Sequence, residues 1–135
     1  MSQHESLIRR LCEASEGSAE LSAEVWTALT GEEYEARQHF TAGFMYVAKS
    51  DVPAENLLLD DMVPCLTTDL SAAWEEAERR GFYPLIDTLA RGDGREYEVS
   101  LFVPDPSDFL PKGVAYARTP ALGITAALLA AEGER

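Results

Sequence analysis

Chemistry in a protein begins with its histidines, cysteines, carboxylates and hydroxyls, and in this chain each class is present without the spacing that catalysis requires. The 2 histidines, His4 and His39, lie apart from each other and from either cysteine. A zinc centre needs several nitrogen or sulfur ligands at short intervals, so no metal site is expected. Asp60-Asp61 lacks the alternating acids and the glycine of a calcium loop. Cys12 falls on the apolar stripe of a predicted helix and reads as core. Cys65 precedes a predicted helix start, where the positive helix end can lower a thiol pKa, yet no base accompanies it in the sequence. No GxSxG elbow, phosphate-binding P-loop or dinucleotide fingerprint occurs. Glu32-Glu33, Glu75-Glu76 and the pair Glu96 and Glu98 are the adjacency expected by chance in a chain with 24 acids, and none is spaced for general acid–base work. The expectation is a protein that is not an enzyme and carries no cofactor.

One arrangement of hydroxyls points elsewhere. Thr67-Thr68 and Thr119 stand at two predicted helix starts, and Arg118 directly precedes the second. Free amides and the positive end of the helix dipole attract anions at such places. If a sheet carries both starts to the same edge, they form an anion pocket. The plainer reading is ordinary capping beside a surface arginine, and physical chemistry alone favours it.

The elements that must position these residues are readable from periodicity and caps. Leu7, Ile8, Leu11 and Cys12 form the stripe of a helix over Glu5–Ser15, with Gly17 placed to end it. A second helix is expected over Ala19–Leu29, capped by Ser18 and ended by Gly31. Glu32–Arg37 is polar and ambiguous, and His39–Ala48 reads as a strand from its aromatic and branched residues. Ser50–Pro64 is a long acidic loop with Leu57-Leu58-Leu59 at its centre. Leu70, Ala73, Trp74 and Ala77 then give an amphipathic helix with Glu75, Glu76 and Glu78 toward water and Gly81 at its end. Phe82–Leu89 and Tyr97–Val103 are strands joined through Arg91-Gly92-Asp93-Gly94, a hairpin signal. Val114–Ala117 is a last strand. The closing helix opens at Thr119-Pro120 with Leu122, Thr125, Ala126 and Leu129 on one face. This order predicts one α+β domain over residues 1–135, a small, mostly antiparallel sheet packed by helices as an α/β/α sandwich.

Composition narrows the partners. The chain has 135 residues, 11 Lys+Arg against 24 Asp+Glu and a formal net charge of −13. Such a charge repels phosphate backbones, so direct nucleic-acid binding is not expected. No apolar run reaches the roughly 20 residues of a membrane span. Met1–Glu5 lacks the basic and then apolar order of a signal peptide, and the cysteine usage fits a reducing compartment, so a cytoplasmic location is expected.

Three blocks carry a resemblance to a known family. Ala19-Glu20-Leu21-Ser22-Ala23-Glu24-Val25-Trp26, Leu66-Thr67-Thr68-Asp69-Leu70-Ser71-Ala72-Ala73-Trp74 and Ala115–Leu129, with the Tyr97–Val103 strand between, resemble small phage and prophage proteins carrying the phage ABA sandwich domain. The blocks occur in the family's order over roughly two-thirds of the chain and depart from its pattern at Ser22 and Leu66. The resemblance implies a sandwich fold without enzymatic activity, acting in a bacterial host cell. Some phage proteins of similar layout are oligomeric sponges that sequester the cyclic nucleotide signals of defence systems such as Thoeris and CBASS. By that analogy Thr67, Thr68, Arg118 and Thr119 would contact phosphate, with Phe82 or Tyr116 stacking on a base. The alternative is an acidic inhibitor of a basic, nucleic-acid-binding host defence protein. It would be docked through Asp51, Glu55, Asp60 and Asp61, with Leu57 and Leu58 as apolar anchors.

Overall fold

Alternating strands and capped helices build an α+β architecture around a three-stranded antiparallel sheet. The computed structural model describes residues 4–39, 43–48, 63–91 and 94–133. The elements are α1 (Glu5–Glu13), α2 (Ala19–Thr30), β1 (Tyr34–His39), β2 (Gly43–Ala48), α3 (Leu70–Arg79), β3 (Tyr83–Arg91), β4 (Gly94–Phe102), β5 (Gly113–Ala117) and α4 (Pro120–Gly133). β3, β4 and β5 form the sheet in that order, and β1 pairs with β2 as a separate antiparallel ribbon. Arg91 pairs with Gly94, so only residues 92 and 93, outside the described segments, join β3 to β4.

Local chemistry sets the helix ends. The Ser18 hydroxyl accepts the Leu21 amide at 3.1 Å, and Gly31 closes α2 at φ +79°. Asp69 accepts the Ser71 and Ala72 amides at 2.9 and 3.4 Å at the start of α3. The end of α3 is a Schellman motif. Gly81 takes φ +90°, its N–H reaches the Glu78 carbonyl at 3.0 Å, and the Phe82 N–H reaches Ala77 at 2.9 Å. Gly17 does not end α1, which stops at Ala14 in extended backbone. It serves a close approach instead, because a Cβ there would collide with the Thr67 carbonyl.

The core lies between the sheet and α4. Pairing places Leu101 opposite Gly113 and Val99 opposite Ala115 on the inner face. α4 rides on them through Gly123, Ala127 and Ala131. A Cβ on Gly123 would meet Val99 Cγ2 at 2.5 Å, and one on Gly113 would strike the Ala127 carbonyl. The expected single apolar face of α4 is therefore wider than foreseen, since every residue from Ala121 to Leu129 is buried. A helix apolar on all sides belongs in the middle of a core. Packing of α1 and α3 against α4 completes it, with Leu11, Ala73 and Ala77 buried.

Other expectations shift in detail. The strand expected over His39–Ala48 is two: Tyr34–His39 pairs with Gly43–Ala48, and the polar stretch left ambiguous supplies the first. On α3 the buried stripe is Ala73, Glu76 and Ala77 rather than one beginning at Leu70, which is exposed. Glu76 was expected in water but is buried because two arginines hold it. Arg79 reaches it at 2.9 Å and Arg80 at 2.7 Å, while Arg80 also bridges to Glu132 at 3.0 Å. The architecture as a whole is the one expected, an α+β fold in which helices pack against a small antiparallel sheet.

Candidate functional site

Two concave surfaces stand out among the described residues, and the residues expected to bind a ligand contribute to one of them. The first does bring the starts of α3 and α4 together. Glu16, Gly17, Thr67, Thr68, Leu70, Thr119, Pro120 and Ala121 line a cleft of about 320 Å³.

Its hydroxyls are largely committed to the fold. Thr67 is buried, donates to the Ser18 carbonyl at 2.8 Å, accepts the Ser18 amide at 3.0 Å and lies 2.8 Å from the Ser22 hydroxyl. It ties the segment before α3 to the start of α2. Thr119 accepts the Leu122 amide at 3.1 Å as the cap of α4. The α3 amides already hold the Asp69 carboxylate, and Glu16 adds a second negative charge to the wall. Thr68 is exposed in the cleft, whereas Arg118 is exposed but does not line it. Phe82 is buried in the core, in keeping with the hydrophobic contact that often accompanies a Schellman motif, so it offers no ring to a ligand. Tyr116 remains exposed on β5, on the outer sheet face and away from this cleft.

The second surface lies on that outer face. Cross-strand pairing aligns Tyr83 with Phe102, Leu85 with Ser100 and Val114, and Asp87 with Glu98 and Tyr116. Leu85 is 51% exposed, Tyr83 48%, Val114 42% and Tyr116 40%. Apolar side chains so exposed along both flanking strands form a face that water covers at a cost. At one end the face deepens into a cleft of about 520 Å³ between the β3–β4 hairpin and the Pro104–Leu110 loop. The Tyr83 and Phe102 rings stack at 5.8 Å there, and Phe109, 80% exposed, also lines it.

The loop is held by its own acids. Asp105 accepts the Ser107 amide at 3.0 Å and its hydroxyl at 2.8 Å, and these bonds hold its carboxyl below the usual carboxylate range. Asp108 pairs with Lys112 at 2.6 Å, which lowers it likewise. No role for residues 104–111 is read from the sequence, which does not anticipate this surface. The available signal was Phe109-Leu110, two large apolar residues set among prolines and turn-forming acids.

Nothing in either cleft resembles a catalytic constellation. Cys12 is free and half-buried, and burial pushes its thiol up against a smaller opposing effect of a backbone hydrogen bond with Tyr116. Such a thiol is a poor nucleophile. Among the described residues no group of three His, Cys, Asp or Glu converges as metal ligands, and no helix is long and apolar enough to cross a membrane. Asp51, Glu55, Leu57, Leu58, Asp60 and Asp61 lie outside the described residues. No protein-family model, curated protein or solved structure matches the chain.

Proposed function

We propose that the protein is a non-catalytic, acidic binding module that docks on a basic host protein through the outer face of its sheet. The observation that carries this reading is the exposed apolar face of Tyr83, Leu85, Val114 and Tyr116 on a chain of net charge −13. Apolar contact supplies affinity, and the acidic surround selects a partner with a basic rim and speeds encounter. The phage-type motifs give the context, a counter-defence protein in the cytoplasm of a bacterial host that blocks a basic nucleic-acid-binding surface. Segment 51–61 adds acids and the Leu57 and Leu58 anchors to the same reading on its sequence alone.

The test is capture of a host protein on the immobilised full chain, followed by reconstitution of the pair from purified components. Slowed amide exchange in β3, β4 and β5, with capture lost in Val114→Glu, is the expected result. Equal capture by Val114→Glu, or protection confined to other elements, overturns it.

A second reading keeps the nucleotide sponge, because the starts of α3 and α4 share one cleft containing the exposed Thr68. Native mass spectrometry of protein from its own host tests it. A retained nucleotide on a defined oligomer, lost in Thr68→Ala, supports this reading, and an unliganded chain removes it.

A further inference from the structure

The cleft at the end of the sheet has a chemistry of its own. Its lining is largely aromatic and prolyl: Tyr83 and Phe102 stack on each other, Phe109 joins them, and Pro104 and Pro106 stiffen the loop. The charged side chains of its lining are two carboxylates. Asp108 is neutralised by Lys112, with its other oxygen accepting the Leu110 amide at 3.3 Å. Asp105 commits only Oδ1, to Ser107, and Oδ2 makes no hydrogen bond among the described residues. A pocket of π faces with one available carboxylate oxygen, on a chain of charge −13, complements a planar cation.

We infer that this cleft receives an arginine side chain of the docked partner, its guanidinium stacked on the aromatic rings and hydrogen-bonded to Asp105. The inference rests on the docking face proposed above and names the residue which that face recognises. Arginine fits better than lysine because its flat, weakly hydrated head stacks on rings and offers parallel donors to a carboxylate. A purely apolar side chain would leave the Asp105 carboxylate desolvated without a partner, a cost that works against it.

The experiment titrates the full-length protein with the blocked tripeptide acetyl-Gly-Arg-Gly-amide, and with its citrulline, lysine and norleucine counterparts, following the aromatic resonances by NMR. Saturable shifts at Tyr83, Phe102 and Phe109 are expected with arginine, with affinity about tenfold weaker for citrulline and for norleucine. Asp105→Asn keeps an oxygen for the Ser107 bonds and removes the charge, so it erases the preference for arginine over citrulline. Phe109→Ala, at an exposed position, weakens every peptide. Norleucine binding as tightly as arginine, absence of saturable shifts at these rings, or shifts that grow with protein concentration alone (a second copy in the cleft) would each overturn the inference.

Val114 lies outside the cleft, so the two ideas fail separately. Partner capture that survives Asp105→Asn but not Val114→Glu removes the arginine and keeps the docking face. Capture that survives Val114→Glu removes the docking face, while the peptide titration still reads the cleft directly.

Discussion

Thr67 was singled out for its hydroxyl, and the hydroxyl does matter, but to the fold. It bonds both the amide and the carbonyl of Ser18 and the hydroxyl of Ser22, across 49 and 45 positions of sequence. Thr67→Val keeps the volume and strands those groups, so a loss of about 2–3 kcal/mol is expected in urea unfolding with the m-value unchanged. Unchanged stability would return Thr67 to the list of ligand contacts. Glu76→Ala should cost about 3 kcal/mol by the same measurement, because it takes from the part-buried Arg80 the carboxylate it meets at 2.7 Å. These two residues mark where the sequence stops being legible. Ser18, Gly31 and Gly81 announce themselves because a cap depends on neighbours within four positions. The role of Thr67 depends on a residue far along the chain, and Glu76 looks like any solvated acid until Arg79, Arg80 and Glu132 are seen around it. The first cleft was legible only as a juxtaposition of helix starts; the occupancy of its hydroxyls was not. Phe82 reads as a strand residue from its type, yet one step past Gly81 in the Schellman turn it lies buried in the core.

At the scale of elements, the contact of α4 with the sheet is the structural centre, and it depends on the absence of side chains. Gly113→Ala would drive a methyl group into the Ala127 carbonyl, which is backbone and has no rotamer to relieve the clash. A loss of about 2–3 kcal/mol is expected, while Gly94→Ala, with nothing within 4 Å of its Cβ, should stay within about 0.5 kcal/mol. Comparable thermal unfolding of the two variants would mean that α4 and β5 can separate without penalty. The Pro104–Leu110 loop is held differently, by charge. The carboxyls of Asp105 and Asp108 both sit below their ordinary range, through the Ser107 bonds and the Lys112 pair. A depressed folded pKa stabilises above the unfolded value, about 3.9, and that contribution is lost as the pH falls through the lower folded value. The Ser107 and Leu110 amide resonances should therefore move below about pH 4 while those of Val99 and Leu101 hold. Movement of both sets together would show global acid unfolding instead of a local release. Because the same loop lines the aromatic cleft and Asp105 supplies its carboxylate, arginine binding there should weaken over the same pH range.

For the molecule as a whole, charge acts in opposite senses on folding and on association. A chain at −13 repels itself, and salt screens that repulsion over a Debye length of about 10 Å at 0.1 M. Raising salt from low to physiological concentration should therefore raise the Tm of the free protein. The described ion pairs oppose this trend, but Arg10–Glu24 is exposed, and the tightest cluster, around Glu76, is buried and little affected by screening. A docked complex with a basic partner should respond the other way, with affinity falling as the same salt is added, chiefly through slower association. The apolar face makes a separate contribution that salt does not weaken, so binding should level off at high salt instead of vanishing. Val114→Glu should weaken binding at every salt concentration and leave no such floor. A complex whose affinity ignores salt would be held by the sheet face alone, and the acidic excess would then serve solubility. A complex that disappears entirely at high salt would deny the sheet face its part. Only the combination of a steep early loss and a persistent floor joins the two features, acidic surround and apolar face, in one binding surface.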